Sequence, residues 1–252
     1  MDIGDPFTLK KDAPENNKIL YGFLNKYYEN KFYNLASKIL FTHEDSMSAH
    51  IEHFDIKSEK TYVGNPISEF NEEIFLRSIK YNYKLNPIKF GYFGVFTKGV
   101  RSPKNFMKFF KDTKNIEFHW YVNDDSKNEI ASHNKELNSI FHSIVEREEA
   151  LKLMAGSFHC LVSIGNLNTT QIPSKVIEYI STGKPVIHFC EVENDPVKNI
   201  ANEFQNLFII SETSNKENLL NQLNSFYKDI STFNKELFIE KYTSNSIIEI
   251  LD

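Results

Sequence analysis

The chain has 252 residues, a formal net charge of -5, 40% hydrophobic and 25% charged residues, a size and balance that suit one large or two modest α/β units and exclude a disordered or fibrous chain. The acidic balance speaks against nucleic acid as the main partner, because phosphate-backbone binding draws on a basic surplus. No apolar run reaches the roughly eighteen residues of a membrane span and no charged-then-apolar leader is present, so a cytoplasmic protein with at most peripheral membrane contact is expected.

Residues 1–68 combine a polar opening, a long aromatic and lysine-rich helix over 16–36, a strand at "KILFTH", a short helix and a strand at "KTYVGNP". Asn65 stands before a proline and is pushed out of the helical region, so a linker begins there, with a connecting helix within 69–84. From 85 to 230, β-rich apolar runs alternate with helical patterns, the signature of βαβ units and a parallel sheet. The expected strands are 88–96, 116–122, 139–145, 158–164, 185–189 and 206–210. Expected helices are "SPKNFMKFFKD", capped by Ser102 with Pro103 in its first turn, then "EREEALKLMAG", "PSKVIEYISTG" and "KENLLNQLNSFYKD". Residues 231–252 form a helical tail broken near Tyr242. The fold class is α/β, a Rossmann-like doubly wound parallel sheet with a partial α/β segment before it, and ligands in such sheets bind beyond the carboxyl ends of the strands.

Two stretches carry chemistry. In "QIPSKVIEYISTGKPVIHF" (171–189), Pro173 presets a helix start and leaves the amides of Ser174, Lys175 and Val176 available to an anion. Lys175 adds a full charge, and Glu178, one turn beyond Ser174, can accept a pair of ribose hydroxyls; Gly183 is expected in a left-handed turn. In "YFGVFTKGVRSPKN" (92–105), Gly94 permits close approach of a ligand to the backbone, and Lys98, Arg101 and Lys104 surround the loop. The plainer reading of both is helix punctuation with solvated charges. Cys160 and Cys190 sit in or beside apolar runs and read as reduced core residues. The eight histidines are scattered with no finger-type or HExxH spacing, so no metal is expected.

The segments "YFGVFTKGVRSP", "SIVEREEALKLMAGSFHCLVSIGN" and "IPSKVIEYISTGKPVI" resemble, in this order and spacing, the donor-binding half of GT-B fold glycosyltransferases, in particular retaining family four and its bacterial polysaccharide relatives. The resemblance implies that Glu178 holds a nucleotide ribose and that Pro173, Ser174, Lys175 and Val176 bind diphosphate. Arg101 would neutralise that diphosphate, making Arg101 and Lys175 the catalytic pair, and backbone at Ser143, Ile144 and Val145 would face the base. The family's usual glutamate eight residues before the ribose-binding one is Thr170 here, and its arginine after the first-strand glycine is Val95; Asn166 and Thr170 are candidates for the sugar contacts. Residues 1–68 resemble the late part of the acceptor-side domain, and Asp2 and Asp5 read as structural.

The implied donor is a nucleoside-diphosphate sugar, UDP-linked for preference, with no separate cofactor. The implied acceptor is a glycan or lipid-linked chain, and an acceptor-domain partner or self-association through the aromatic helix is a further expectation. A non-catalytic nucleotide-sugar-binding subunit and a nucleotide-sugar epimerase remain alternatives.

Overall fold

The computed structural model describes residues 2–3, 18–42, 44–62, 70–79, 86–133, 137–169, 171–227 and 233–243. Two parallel sheets organise them. The smaller has the order β1 (Asp2–Ile3), β2 (Lys38–Phe41), β3 (Glu59–Tyr62), with α1 (Lys18–Leu35) and α2 (Glu44–His53) as its crossovers. Its core is compact: Tyr33 of α1, Ile39 and Phe41 of β2, and Phe54 just after α2. The buried His50 ring packs edge-on against Tyr33 at 5.8 Å.

After α3 (Glu72–Ile79), the larger sheet is built from β4 (Ile88–Phe93), β5 (Ile116–Tyr121), β6 (Ser139–His142), β7 (Cys160–Ile164), β8 (Val186–Phe189) and β9 (Leu207–Ile210). Their order is β6-β5-β4-β7-β8-β9, all parallel. The helices are α4 (Lys104–Phe110), α5 (Asp124–His133), α6 (Arg147–Ser157), α7 (Ser174–Ile180), α8 (Val197–Ala201), α9 (Lys216–Phe226) and α10 (Lys235–Tyr242).

Helices cover both faces, which is why β7 and β8 are buried along their whole length and are apolar apart from Ser163 and His188. One face packs Phe106, Met107 and Phe110 of α4 and Leu219 and Leu223 of α9 against Phe90, Phe118 and Trp120. The other packs Met154 of α6, Val176 and Ile177 of α7, Ile200 of α8 and Phe238 of α10 against Leu161 and Val186. Register also aligns aromatic rings: Phe93 pairs with Tyr121 and Tyr121 with His142. Their rings stack across three strands at 4.4 and 4.3 Å.

All six strands fall inside the expected runs: β4, β5 and β6 stop earlier, while β7, β8 and β9 start one or two residues later and end where expected. The strand expected to reach Val145 ends at His142, where its register with β5 ends, and among the described residues β6 is the edge strand. Helices α5 and α8 were not anticipated. Helix α5 (DDSKNEIASH) buries only Ser126 and Ile130, too little to give an apolar period, and α8 is five residues long. The left-handed turn after α7 is as expected, with Gly183 at φ 71°. Strand order reverses at β4 and β7, neighbours in the sheet although two strands separate them in sequence, and the loops leaving them face the switch-point crevice.

Candidate functional site

The loops that leave β4 and β7 are tied together. Leu167 N–H donates to the Val100 carbonyl at 2.7 Å. The Arg101 guanidinium donates from Nε (3.2 Å) and Nη2 (2.8 Å) to Asn166 Oδ1, and Asn166 Nδ2 donates on to the Gln171 carbonyl at 3.3 Å. Helix α7 is fastened to the end of β4 by Tyr179, whose hydroxyl sits 3.0 Å from both the Phe93 amide and the Phe93 carbonyl. Gly94 follows directly, its amide donating to the Tyr121 carbonyl at 3.1 Å. The Tyr92 phenol beside Arg101 is raised above its ordinary pKa by burial, against the pull of the Arg101 charge.

On α7, Glu178 is 6% exposed. Its carboxylate accepts from Lys175 Nζ at 2.5 Å on Oε2 and from Arg147 Nε at 3.1 Å on Oε1. A carboxylate removed from water needs such partners, and here both cations remain partly exposed. Arg147 was not a candidate from sequence. It is the first residue of α6, where the helix dipole favours acidic side chains and Glu148 and Glu149 follow. A cation in a first turn that the dipole disfavours is only a weak signal, because its partner Glu178 is 31 residues away in sequence.

The structure therefore brings Gly94, Arg101, Asn166, Lys175 and Glu178 to one edge of the sheet. Ser143 and Ile144, both exposed, and the half-buried Val145 follow β6 on that edge and lead into Arg147. Pro173 precedes α7 and Ser174 opens it. One expectation is corrected: the Val176 amide is not available to an anion, because it donates to the Pro173 carbonyl at 2.9 Å and closes the first turn. A second is modified. Ser102 touches the Lys104 amide only at 3.4 Å, while its hydroxyl donates to Glu129 at 2.9 Å, and helix α4 starts after Pro103. Thr170 and Asp5 lie outside the described residues.

Farther along the same edge, Asn199 of α8 donates to Asp45 of α2 at 3.3 Å. Beside that contact is a polar cavity of about 560 Å³, lined among others by Asp45, Thr169, Glu193, Asp195 and Lys198. Asp195 also meets His188 and Cys190, and donor atoms of the three lie within 4.8 Å of one another. Both cysteines are free and buried. Burial, reinforced by the Asp195 charge, pushes the Cys190 thiol up to about 12. Among the described residues no helix is long and apolar enough to cross a membrane.

No protein-family model matches the chain, and no curated protein sequence matches it. Solved structures do. HepE of Anabaena, in complex with UDP-glucose, superposes with a TM-score of 0.65 at 13% identity, over 99% of this chain and 71% of that one. Sucrose-phosphate synthase of Thermosynechococcus elongatus gives 0.66 at 10% identity, over 99% and 65%. WaaG, a glycosyltransferase involved in lipopolysaccharide biosynthesis, gives 0.59 at 13% identity, over 95% and 68%. The chain thus spans about two thirds of the length of these proteins, and the likeness is one of fold: its six-stranded parallel sheet and flanking helices are arranged as in the GT-B glycosyltransferases.

Proposed function

We propose that the chain binds a nucleoside-diphosphate sugar at the β4–β7 crevice and takes part in transferring its glycosyl group to a glycan or lipid-linked acceptor of cell-surface polysaccharide synthesis. The observation that carries this reading is the buried Glu178 carboxylate, held by Lys175 and Arg147 one helix turn from the start of α7. A carboxylate so placed can accept both hydroxyls of a ribose. The diphosphate would then lie between Lys175 and Arg101, which Asn166 already orients. Backbone at Ser143 to Val145 would meet the base, with uracil preferred. Asn166 and Thr170 would meet the sugar.

Transfer on this arrangement is electrostatic. As the bond between the anomeric carbon and the diphosphate oxygen breaks, negative charge grows on the leaving diphosphate. Arg101 and Lys175 stabilise it more strongly in the transition state than in the ground state. The step needs no divalent cation in this scheme, and retention of anomeric configuration follows the family resemblance. A thermal-shift panel of UDP, ADP, GDP and their sugars tests the reading, because a ligand that binds only the folded chain raises its melting temperature. A rise with UDP and UDP-sugars is expected; no rise with any nucleotide removes the proposal.

A second reading is a nucleotide-sugar-binding subunit that holds the donor through Glu178, Lys175 and Arg101 and needs another polypeptide for turnover. Donor binding without transfer or hydrolysis, restored by an added acceptor-binding chain, would select it.

A further inference from the structure

We propose that His188, Cys190 and Asp195 form a binding site for a divalent transition-metal ion of the zinc class. His188 is on β8, Cys190 follows that strand, and Asp195 lies in the turn that opens α8. Their donor atoms lie within 4.8 Å of one another, and exposures of 0%, 6% and 3% place all three in the interior. An imidazole, a thiolate and a carboxylate are the nitrogen, sulfur and oxygen ligands that zinc accepts. The two anionic ligands balance the dication, so a loaded site buries no net charge.

The groups behind these ligands are in place. His188 Nδ1 lies 3.1 Å from Ser163 Oγ on β7, which turns Nε2 toward Asp195 Oδ2 at 3.0 Å. The other carboxylate oxygen, Oδ1, accepts the Val197 amide at 3.0 Å. Outer partners of this kind orient ligands in metal sites and set the histidine tautomer. The backbone also makes room. A Cβ on Gly165, just past the end of β7, would stand 2.3 Å from Asp195 Oδ2, so glycine there is what allows the carboxylate to reach the imidazole.

Asp195 also lines the 560 Å³ polar cavity, which gives the ion a route in and water a place as fourth ligand. On binding, the Cys190 thiol gives its proton to solvent and the sulfur bonds the metal. The imidazole keeps one proton, moved to Nδ1 and donated to Ser163 Oγ, so one proton leaves per ion bound. The bound ion would clasp the end of β8 to the turn before α8. Asp195 packs on Gly165, the residue before the Arg101 partner Asn166, so the ion would lie behind that loop, and the transfer scheme proposed above does not use it.

The test uses the full chain, reduced and freed of metal by a chelator, titrated with cobalt(II) and then with zinc(II). One cobalt per chain is expected, with a thiolate-to-metal charge-transfer band and the visible bands of a four-coordinate ion, all displaced by zinc. Cys190→Ser should lose the charge-transfer band, and Cys160→Ser should keep it. Absence of the band in the unmodified chain, or its persistence in Cys190→Ser, overturns the proposal, and the first of these outcomes does not depend on any variant folding.

Discussion

Tyr179 and Phe93 form a closed pair: one phenol hydroxyl lies 3.0 Å from both the amide and the carbonyl of one residue, 86 positions away in sequence. The hydroxyl donates to one backbone group and accepts from the other, so the last residue of β4 is satisfied by helix α7 and not by a neighbouring strand. Gly94 and the loop carrying Arg101 start from that point. Tyr179→Phe removes both bonds in a fully buried place and leaves an amide and a carbonyl without their partner, at a cost of about 1–3 kcal/mol. Urea unfolding should show that loss, together with weaker nucleotide binding as the loop loosens. Unchanged stability would mean that the backbone of Phe93 finds other partners.

The Arg101–Asn166 pair separates charge from orientation. Arg101→Ala removes the cation, and the proposed mechanism expects nucleotide binding below calorimetric detection, with Lys175→Ala behaving alike. Loss of one such donor typically costs about 2–4 kcal/mol of transition-state stabilisation. Asn166→Ala keeps the charge but frees the guanidinium, so UDP affinity should fall by a smaller factor. If Arg101→Ala and Lys175→Ala both bind UDP as tightly as the unmodified chain, the diphosphate lies elsewhere.

Glu178 offers a test that distinguishes ribose from phosphate. Its two cationic partners are partly exposed, so Glu178→Ala leaves them hydrated, and the stability change reflects mainly the space that the buried side chain filled. Binding of UDP should nevertheless fall at least tenfold, while binding of inorganic pyrophosphate, which carries no ribose, should hold or strengthen because Lys175 is released. Equal loss for both ligands would assign the carboxylate to holding the cations and not to the sugar of the nucleotide.

The sheet was legible because a parallel strand covered on both faces must be mostly apolar, and β7 and β8 are, with Ser163 and His188 as their buried polar exceptions. Strand ends were less legible, since β6 stops where pairing to β5 stops and not where its residues change. Lys175 and Glu178 were readable together because one helix turn joins them. Arg147 was not, because its partner is 31 residues away. The grouping of His188, Cys190 and Asp195 depends on Ser163 from a different strand and on the space left at Gly165, neither of which leaves a local pattern. The polar helix α5 has one buried apolar anchor, Ile130, and nothing periodic to detect.

Lys184 supplies a pH dependence outside the candidate site. It is 1% exposed, and its ammonium donates to the Phe158 carbonyl at 2.5 Å. Burial lowers its pKa from 10.5 to about 7, opposed by Cys160 and assisted by the Arg77 charge. Between those two values the unfolded chain holds a proton that the folded chain has released, so stability rises with pH through that window, by at most about 1.4 kcal/mol per unit. Below the folded value both states are protonated, and the lysine adds no further slope. Lys184→Met, close in volume and without charge, should remove this component. Unfolding free energies in urea at pH 7, 8 and 9 should show the unmodified chain gaining on the variant as pH rises. A difference that stays flat or shrinks over that range would show that Lys184 keeps its charge in the folded chain, with the Phe158 carbonyl and its other neighbours compensating for the lost water.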